Sequence, residues 1–85
     1  MARLNAGAVR AEVVDCILSV APEADFDTLR PDRPFRGQLE IDSFDWQNIL
    51  VAIDARLGVN VPESEYGKLD TLDRLVAYVE SHQPG

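Results

Sequence analysis

Among the side chains of this sequence that could act as a nucleophile or a base, three are considered first: Cys16, Ser43 and His82. A hydrolytic serine needs a histidine base beside it, and it often lies in a Gly-x-Ser-x-Gly turn. No such turn surrounds Ser43, and the only histidine follows the last predicted helix. One cysteine and one histidine also cannot supply a structural zinc site. We therefore expect no catalytic centre, and the chain is predicted not to be an enzyme.

Cys16 lies on the apolar stripe of the first predicted helix, with no basic residue close to it in the sequence. This placement predicts a small buried hydrophobic residue rather than a reactive thiol. A lone thiol is typical of a reducing compartment, and the first five residues lack the apolar segment of a signal peptide. The longest apolar run, residues 49–53, is far shorter than a membrane span. We expect a cytoplasmic protein.

The composition describes a small acidic domain. The chain has 85 residues, 46% of them hydrophobic, and a formal net charge of −7. Such a charge disfavours binding to nucleic acids and to anionic membranes, both of which require basic surfaces. It favours partners with basic surfaces. Residues 37–85 hold nine acids and three bases, so most of the negative charge lies in the second part of the chain.

Apolar spacing predicts three main helices. They cover about residues 6–20, residues 43–57, and a segment from Asp70 or Thr71 to about Ser81. A short helical segment is expected to follow Pro62, from Glu63 to about Leu69. The apolar stripes are Val9, Val13, Cys16, Ile17 and Val20; Trp46, Ile49, Leu50, Ile53 and Leu57; and Leu72, Leu75, Val76 and Val79. No segment carries a defensible strand pattern.

The segment 21–42 contains three prolines and no sustained period, so it is predicted to be a long loop. A loop of this length needs anchors in the core. The candidate anchors are Phe26, Leu29, Phe35, Leu39 and Ile41.

Ser43 stands where this loop meets the strongest predicted helix. Either Ser43 or Asp42 has the side-chain oxygen of an N-cap, and spacing alone does not choose between them. Phe44 and Val51 lie on a face of the same helix that is not part of its apolar stripe. We expect this helix to leave both side chains exposed.

A longer pattern surrounds this junction and covers nearly the whole chain. It consists of Asp42-Ser43-Phe44, Ala52, Gly58-Val59-Asn60-Val61-Pro62-Glu63, Lys68-Leu69, Thr71-Leu72 and Ala77-Tyr78-Val79. In these features the sequence resembles the acyl carrier protein family, as a discrete and possibly specialised member. The resemblance implies an all-α, acyl-carrier-like four-helix bundle: three main helices, one short helix and a long loop between the first two. It treats residues 1–85 as a single acyl carrier domain.

The resemblance also implies a cofactor. Ser43 would carry a covalent 4′-phosphopantetheine arm derived from coenzyme A, with Asp42 completing the motif, and the arm would hold acyl groups as thioesters. Its partners would be a phosphopantetheinyl transferase and acyl-transferring, condensing or acyl-activating enzymes with basic docking patches. These enzymes would belong to fatty-acid, lipid or polyketide-type biosynthesis, and the carrier is expected to be a monomer.

Two further groups of residues follow from this assignment. Partner recognition is predicted for residues of the helix that begins at Ser43: Phe44, Asp45, Gln47, Val51 and Asp54. An acyl pocket is predicted to involve the bulky Trp46, one turn after Ser43, and four more apolar side chains: Leu50, Ile53, Val61 and Leu75. Trp46 would form a wall or entrance that limits the volume of this pocket.

The sequence departs from the family pattern at several positions. Glu40 stands where the family usually has glycine, and Gln47, Asn48 and Arg56 stand where acids are common. These differences favour a specialised pathway. Two alternatives remain open: an aminoacyl or peptidyl carrier, which would usually have glycine in place of Asp42, and an unmodified helical module that only binds other proteins.

Overall fold

The computed structural model describes residues 3–84. Helix α1 covers Ala6–Val20, α2 covers Ser43–Leu57, a short 3₁₀ helix covers Glu63–Lys68, and α3 covers Leu72–Ser81. Within the described residues there is no strand, only two isolated β-bridges. The predicted all-α architecture with one short helix and a long first loop is therefore confirmed.

Local chemistry explains where the helices begin and end. The Asn5 side chain accepts a hydrogen bond from the Ala8 amide at 2.9 Å and starts α1. The α2 helix ends at Gly58, which takes the left-handed conformation with φ of 68°. Thr71 rather than Asp70 caps α3, because its hydroxyl accepts from the Arg74 amide at 3.0 Å.

The core lies between the apolar stripes, where α1 packs against both α2 and α3. The ten most completely buried large side chains all come from α1, α2, α3 and residue 59, and none of them is charged: Ile17, Ile49, Ile53, Leu72, Leu75, Val9, Val13, Val59, Val79 and Cys16. Removing such side chains from water is the main stabilising contribution in a domain of this size. No helix within residues 3–84 is both long enough and apolar enough to cross a bilayer.

Packing of α1 on α2 also sets the environment of Cys16. Arg56 reaches across from α2 and forms salt bridges with Glu12 at 2.9 Å and Asp15 at 3.6 Å. Distance along the sequence therefore does not reveal the basic group near Cys16, because the fold brings Arg56 to it. Burial raises the pKa of the thiol, and the Arg56 guanidinium opposes this only in part. The expectation of an unreactive buried cysteine is consistent with this environment.

The loop 21–42 is anchored as predicted. Leu29 and Phe35 are buried, and Phe26, Leu39 and Ile41 are partly buried against the core. The Phe35 amide also donates to the Asp70 carbonyl at 2.8 Å, which ties the loop to the start of α3.

Gln38 organises this loop from within, and the sequence pattern did not single it out. Its side-chain oxygen accepts from the Arg30 amide at 2.6 Å. Its side-chain nitrogen lies 3.0, 3.2 and 3.0 Å from the carbonyl oxygens of Arg30, Arg33 and Pro34, so one of its two N–H groups is shared between two acceptors. One amide side chain therefore satisfies backbone groups that a proline-rich loop cannot pair in regular structure.

Candidate functional site

The N-terminus of α2 resolves the choice between two capping residues. Asp42 is the N-cap, since its Oδ1 accepts from the Asp45 amide at 2.8 Å. Asp45 completes a capping box, because its carboxylate accepts from the Asp42 amide at 3.4 Å. Ser43 is therefore the first residue of the helix, and the capping role leaves its hydroxyl unused.

The Ser43 side chain is exposed. Among residues 3–84, no hydrogen bond engages its hydroxyl, and it sits at the positive end of the α2 dipole. First-turn amides and the dipole favour an anionic group at this position. The carboxylate of Asp42 is itself hydrogen-bonded to the Asp45 amide. The residues present therefore suit a phosphodiester on Ser43 Oγ.

The capping box at the start of α2 is expected to contribute to the stability of the protein. We expect Asp42→Ala to lower the free energy of unfolding by about 0.5–2 kcal/mol, because the Asp45 amide loses its partner. Asp42→Asn is the matched control, since asparagine caps about as well as aspartate. Urea unfolding of the three proteins measures the difference. Equal losses in both variants would show that charge at residue 42, rather than capping, is responsible.

An open cavity of about 560 Å³ adjoins Ser43. One part of its lining is the Trp46 side chain, whose ring packs against Phe35 with centroids 5.7 Å apart at 50°. Tyr66 and Leu69 line it from the 3₁₀ helix and the residue that follows. The rest of the lining comes from the loop, the start of α2 and the residue before Thr71: Pro34, Arg36, Gly37, Leu39, Ile41, Asp42 and Asp70.

Of the residues predicted to form an acyl pocket, only Trp46 lines this cavity. The other four, Leu50, Ile53, Val61 and Leu75, are buried in the core with 0–6% of their surface exposed. Sequence reasoning placed Leu39 and Ile41 as loop anchors but missed their position beside Ser43. It missed Tyr66 altogether, because a short 3₁₀ helix has no apolar period that would single it out.

The predicted recognition residues fall on the exposed side of α2. Phe44 and Val51 are 68% and 60% exposed, as the spacing predicted. Gln47 and Asp54 are also exposed, whereas Asp45 is half-buried and engaged in the capping box. Their role in binding partners stays a prediction.

Arg56, which makes α2 less acidic in the sequence, faces Glu12 and Asp15 of α1. Its positive charge is therefore largely balanced within the molecule. Partners that approach α2 meet a more negative surface than the α2 sequence alone indicates.

The histidine is not placed to activate Ser43. The ring of His82 stacks on Tyr78 with centroids 3.9 Å apart, and its Nδ1 lies 2.8 Å from the Tyr78 carbonyl oxygen. Within residues 3–84, no group of three or more His, Cys, Asp or Glu side chains could hold a metal ion.

Comparisons with known proteins converge on one family. The family model described as "Phosphopantetheine attachment site" matches residues 11–79. The acyl carrier protein of Renibacterium salmoninarum is 34% identical over 73 residues, covering 86% of this chain and 85% of that protein. Acyl carrier protein 2, mitochondrial, of Arabidopsis thaliana is 29% identical over 76 residues; the match covers 86% of this chain but only 60% of that relative.

A third relative is named for lipid extension. The meromycolate extension acyl carrier protein of Mycobacterium bovis is 27% identical over 70 residues, covering 82% of this chain and 57% of that protein. The family match spans most of the chain and includes the loop, the capping box and α2. These findings confirm the resemblance seen in the sequence and the covalent 4′-phosphopantetheine it implied. The chain belongs to the acyl carrier protein family, whose members serve acyl biosynthesis as carriers.

Proposed function

We propose that Ser43 is the residue that bears the 4′-phosphopantetheine arm, and that the arm holds acyl intermediates as thioesters. The observation that carries this proposal is the exposed Ser43 hydroxyl, left free by Asp42 at the N-terminus of α2. The family match includes this position, since it covers residues 11–79. The domain itself, residues 1–85, presents its cargo and leaves the chemistry to partner enzymes.

Loading would require a phosphopantetheinyl transferase and coenzyme A. A bond forms between Ser43 Oγ and the phosphorus that bears pantetheine, and the bond from that phosphorus to adenosine 3′,5′-bisphosphate breaks. The serine proton leaves to a base on the transferase. Ser43 contributes an accessible oxygen, and the α2 N-terminus favours the negative phosphodiester that results.

The experiment that tests the function is loading of the full wild-type chain. The protein is incubated with coenzyme A, Mg²⁺ and a broad-specificity transferase, and its intact mass is measured. We expect a gain of one phosphopantetheine. An unchanged mass would favour the alternative of an unmodified interaction module. Loading with octanoyl-coenzyme A then supplies a defined acyl form.

The partners are proposed to be a phosphopantetheinyl transferase and acyl-transferring, condensing or acyl-activating enzymes with basic docking patches. Phe44 and Val51 supply an apolar contact on α2, and Asp54 and Gln47 supply polar contacts beside it. An apolar centre with a charged rim is the usual composition of a specific interface. We place this activity in the cytoplasm and expect a monomer.

The cavity beside Ser43 is proposed to receive the first part of the acyl-bearing arm, with Trp46 as its wall. Octanoylation should then shift Trp46 emission to shorter wavelength, because the chain excludes water from the ring. It should also raise the free energy of unfolding by about 1–3 kcal/mol, since each buried CH₂ contributes at most about 0.8 kcal/mol. Fluorescence and urea unfolding of the thiol and octanoyl forms measure both. Identical spectra together with unchanged stability would remove Trp46 from this role.

The alternative of an aminoacyl or peptidyl carrier shares the arm and the fold. Asp42 favours the acyl class, since such carriers usually have glycine there, and in this structure Asp42 also caps α2. The relatives above are named as acyl carriers.

A further inference from the structure

The loop segment 30–36 carries a local charge opposite to that of the whole molecule. It contains Arg30, Arg33 and Arg36 but only one acid, Asp32, in a chain whose net charge is −7. All three arginines are exposed. They are spaced three residues apart on the loop that leads to Ser43.

These arginines differ from three other basic residues in forming no salt bridge within residues 3–84, a property that they share with Arg3 and Arg10. Arg56, Lys68 and Arg74 each form a salt bridge with an acid. Among the ion pairs found in residues 3–84, none uses Arg30, Arg33 or Arg36. Internal stability therefore does not account for the three guanidinium groups.

The backbone beneath them is nevertheless held in place. Gln38 makes four hydrogen bonds to Arg30, Arg33 and Pro34, and the Asp73 amide donates to the Pro31 carbonyl at 3.0 Å. All of these bonds use main-chain atoms of the segment, so its side chains stay available. A pre-ordered backbone lowers the entropic cost of binding a partner there.

The segment also reaches the functional site, because Arg36 and Ser43 line the same cavity. An enzyme that approaches Ser43 must therefore meet the acidic surface of α2 and the basic segment together. A docking patch that is basic throughout would be repelled by Arg36. A patch with carboxylates beside its basic part would form ion pairs with the arginines, because a guanidinium group can bind a carboxylate through two hydrogen bonds (bidentate).

We propose that residues 30–36 form a second docking surface, which binds an acidic patch on the enzyme that engages Ser43. The partner is a protein surface, because a docking patch of mixed sign can pair with the arginines and with the acidic residues of α2 at once, whereas nucleic acids and anionic membranes are negative throughout and the chain carries a net charge of −7. The surface would select enzymes with a docking patch of mixed sign, through attraction to their acids and repulsion of uniformly basic patches. The claim that this surface binds the enzyme that engages Ser43 rests on the proposed function.

The test uses the full ¹⁵N-labelled chain titrated with a glutamate-rich peptide at low salt. We expect amide shifts centred on residues 30–38 that disappear at high salt. Arg36→Glu and Arg33→Glu should each weaken binding about threefold or more, because a favourable pair becomes a repulsive one. Arg10→Glu is the matched control, because Arg10 is an exposed residue of α1 and its replacement changes the net charge by the same amount. This variant should weaken peptide binding less than Arg36→Glu does.

Three results would overturn the proposal. The first is the absence of shifts in residues 30–38, and the second is an equal loss in Arg10→Glu and Arg36→Glu. The third is binding that vanishes once the arm is loaded, which would assign Arg36 to the arm's own phosphate. If a charge reversal unfolds the chain, Arg36→Gln gives the same comparison. Failure of Ser43 to load is a separate result, because the first two comparisons use the unloaded protein.

Discussion

Ser43→Ala should abolish modification completely. With coenzyme A, Mg²⁺ and a broad-specificity transferase, the wild-type chain gains one phosphopantetheine and the variant keeps its unmodified mass. The reason is chemical, since a methyl group has no oxygen to form the phosphodiester. Intact-mass spectrometry measures the result directly.

The fold should survive this substitution. Asp42 rather than Ser43 caps α2, and the Ser43 side chain is exposed, so the free energy of unfolding should change by about 0.5 kcal/mol or less. Ser64→Ala is the matched control, because Ser64 is another exposed serine in a helical segment. It should load like the wild type. A modified Ser43→Ala protein, or an unmodified Ser64→Ala protein, would place the attachment site elsewhere.

Ile53→Ala should produce the largest loss of stability among the variants considered. Ile53 is fully buried on α2, and its truncation leaves a cavity where α1 and α3 close over the core. The expected loss is about 2–5 kcal/mol. A domain of this length has a total stability of about 4–13 kcal/mol, so the variant should unfold at a much lower urea concentration. Urea unfolding monitored by circular dichroism measures the shift.

Val51→Ala is the control for Ile53→Ala. Both residues are β-branched and belong to α2, but Val51 is 60% exposed. Its truncation should change the free energy of unfolding by only about 0.5 kcal/mol. Similar losses in the two variants would contradict the assignment of Ile53 to the core.

Octanoylation of Ile53→Ala adds a second comparison. An octanoyl chain that reaches the core would recover stability, and an octanoyl chain confined to the cavity beside Ser43 would not.

Elements with strong local signals were predicted well from the sequence. The bounds of α1 and α2 agree with the structure, because apolar spacing, Asn5 and Gly58 mark their ends. The exposure of Phe44 and Val51 followed from the same geometry. The candidate attachment residue could be proposed because the pattern around residues 42–44 resembles the acyl carrier protein family over nearly the whole chain.

Features that depend on distant contacts could not be predicted in this way. Nothing in local spacing indicates that Gln38 would bond to three other loop residues, or that Arg56 would reach α1. The predicted acyl pocket followed the apolar stripe inward to residues such as Ile53. Those residues are buried in the core of this structure, and the open cavity lies between the loop and the 3₁₀ helix, so a pocket along the stripe stays a prediction.

The sequence by itself determined the helices, because each depends on residues within a few turns of one another, and it determined the family and the position of the candidate attachment residue, because a series of short motifs recurs in order along the chain. The structure decided which of two adjacent residues caps α2, and the choice of Asp42, through a local hydrogen bond to the Asp45 amide, leaves the Ser43 hydroxyl free. It also decided that the positive charge of Arg56 is paired with Glu12 and Asp15 of α1. Arg30, Arg33 and Arg36, in contrast, form no salt bridge in the described part of the chain. The physical reason is that charge pairing and open volume depend on distances between elements, which helical periodicity does not encode.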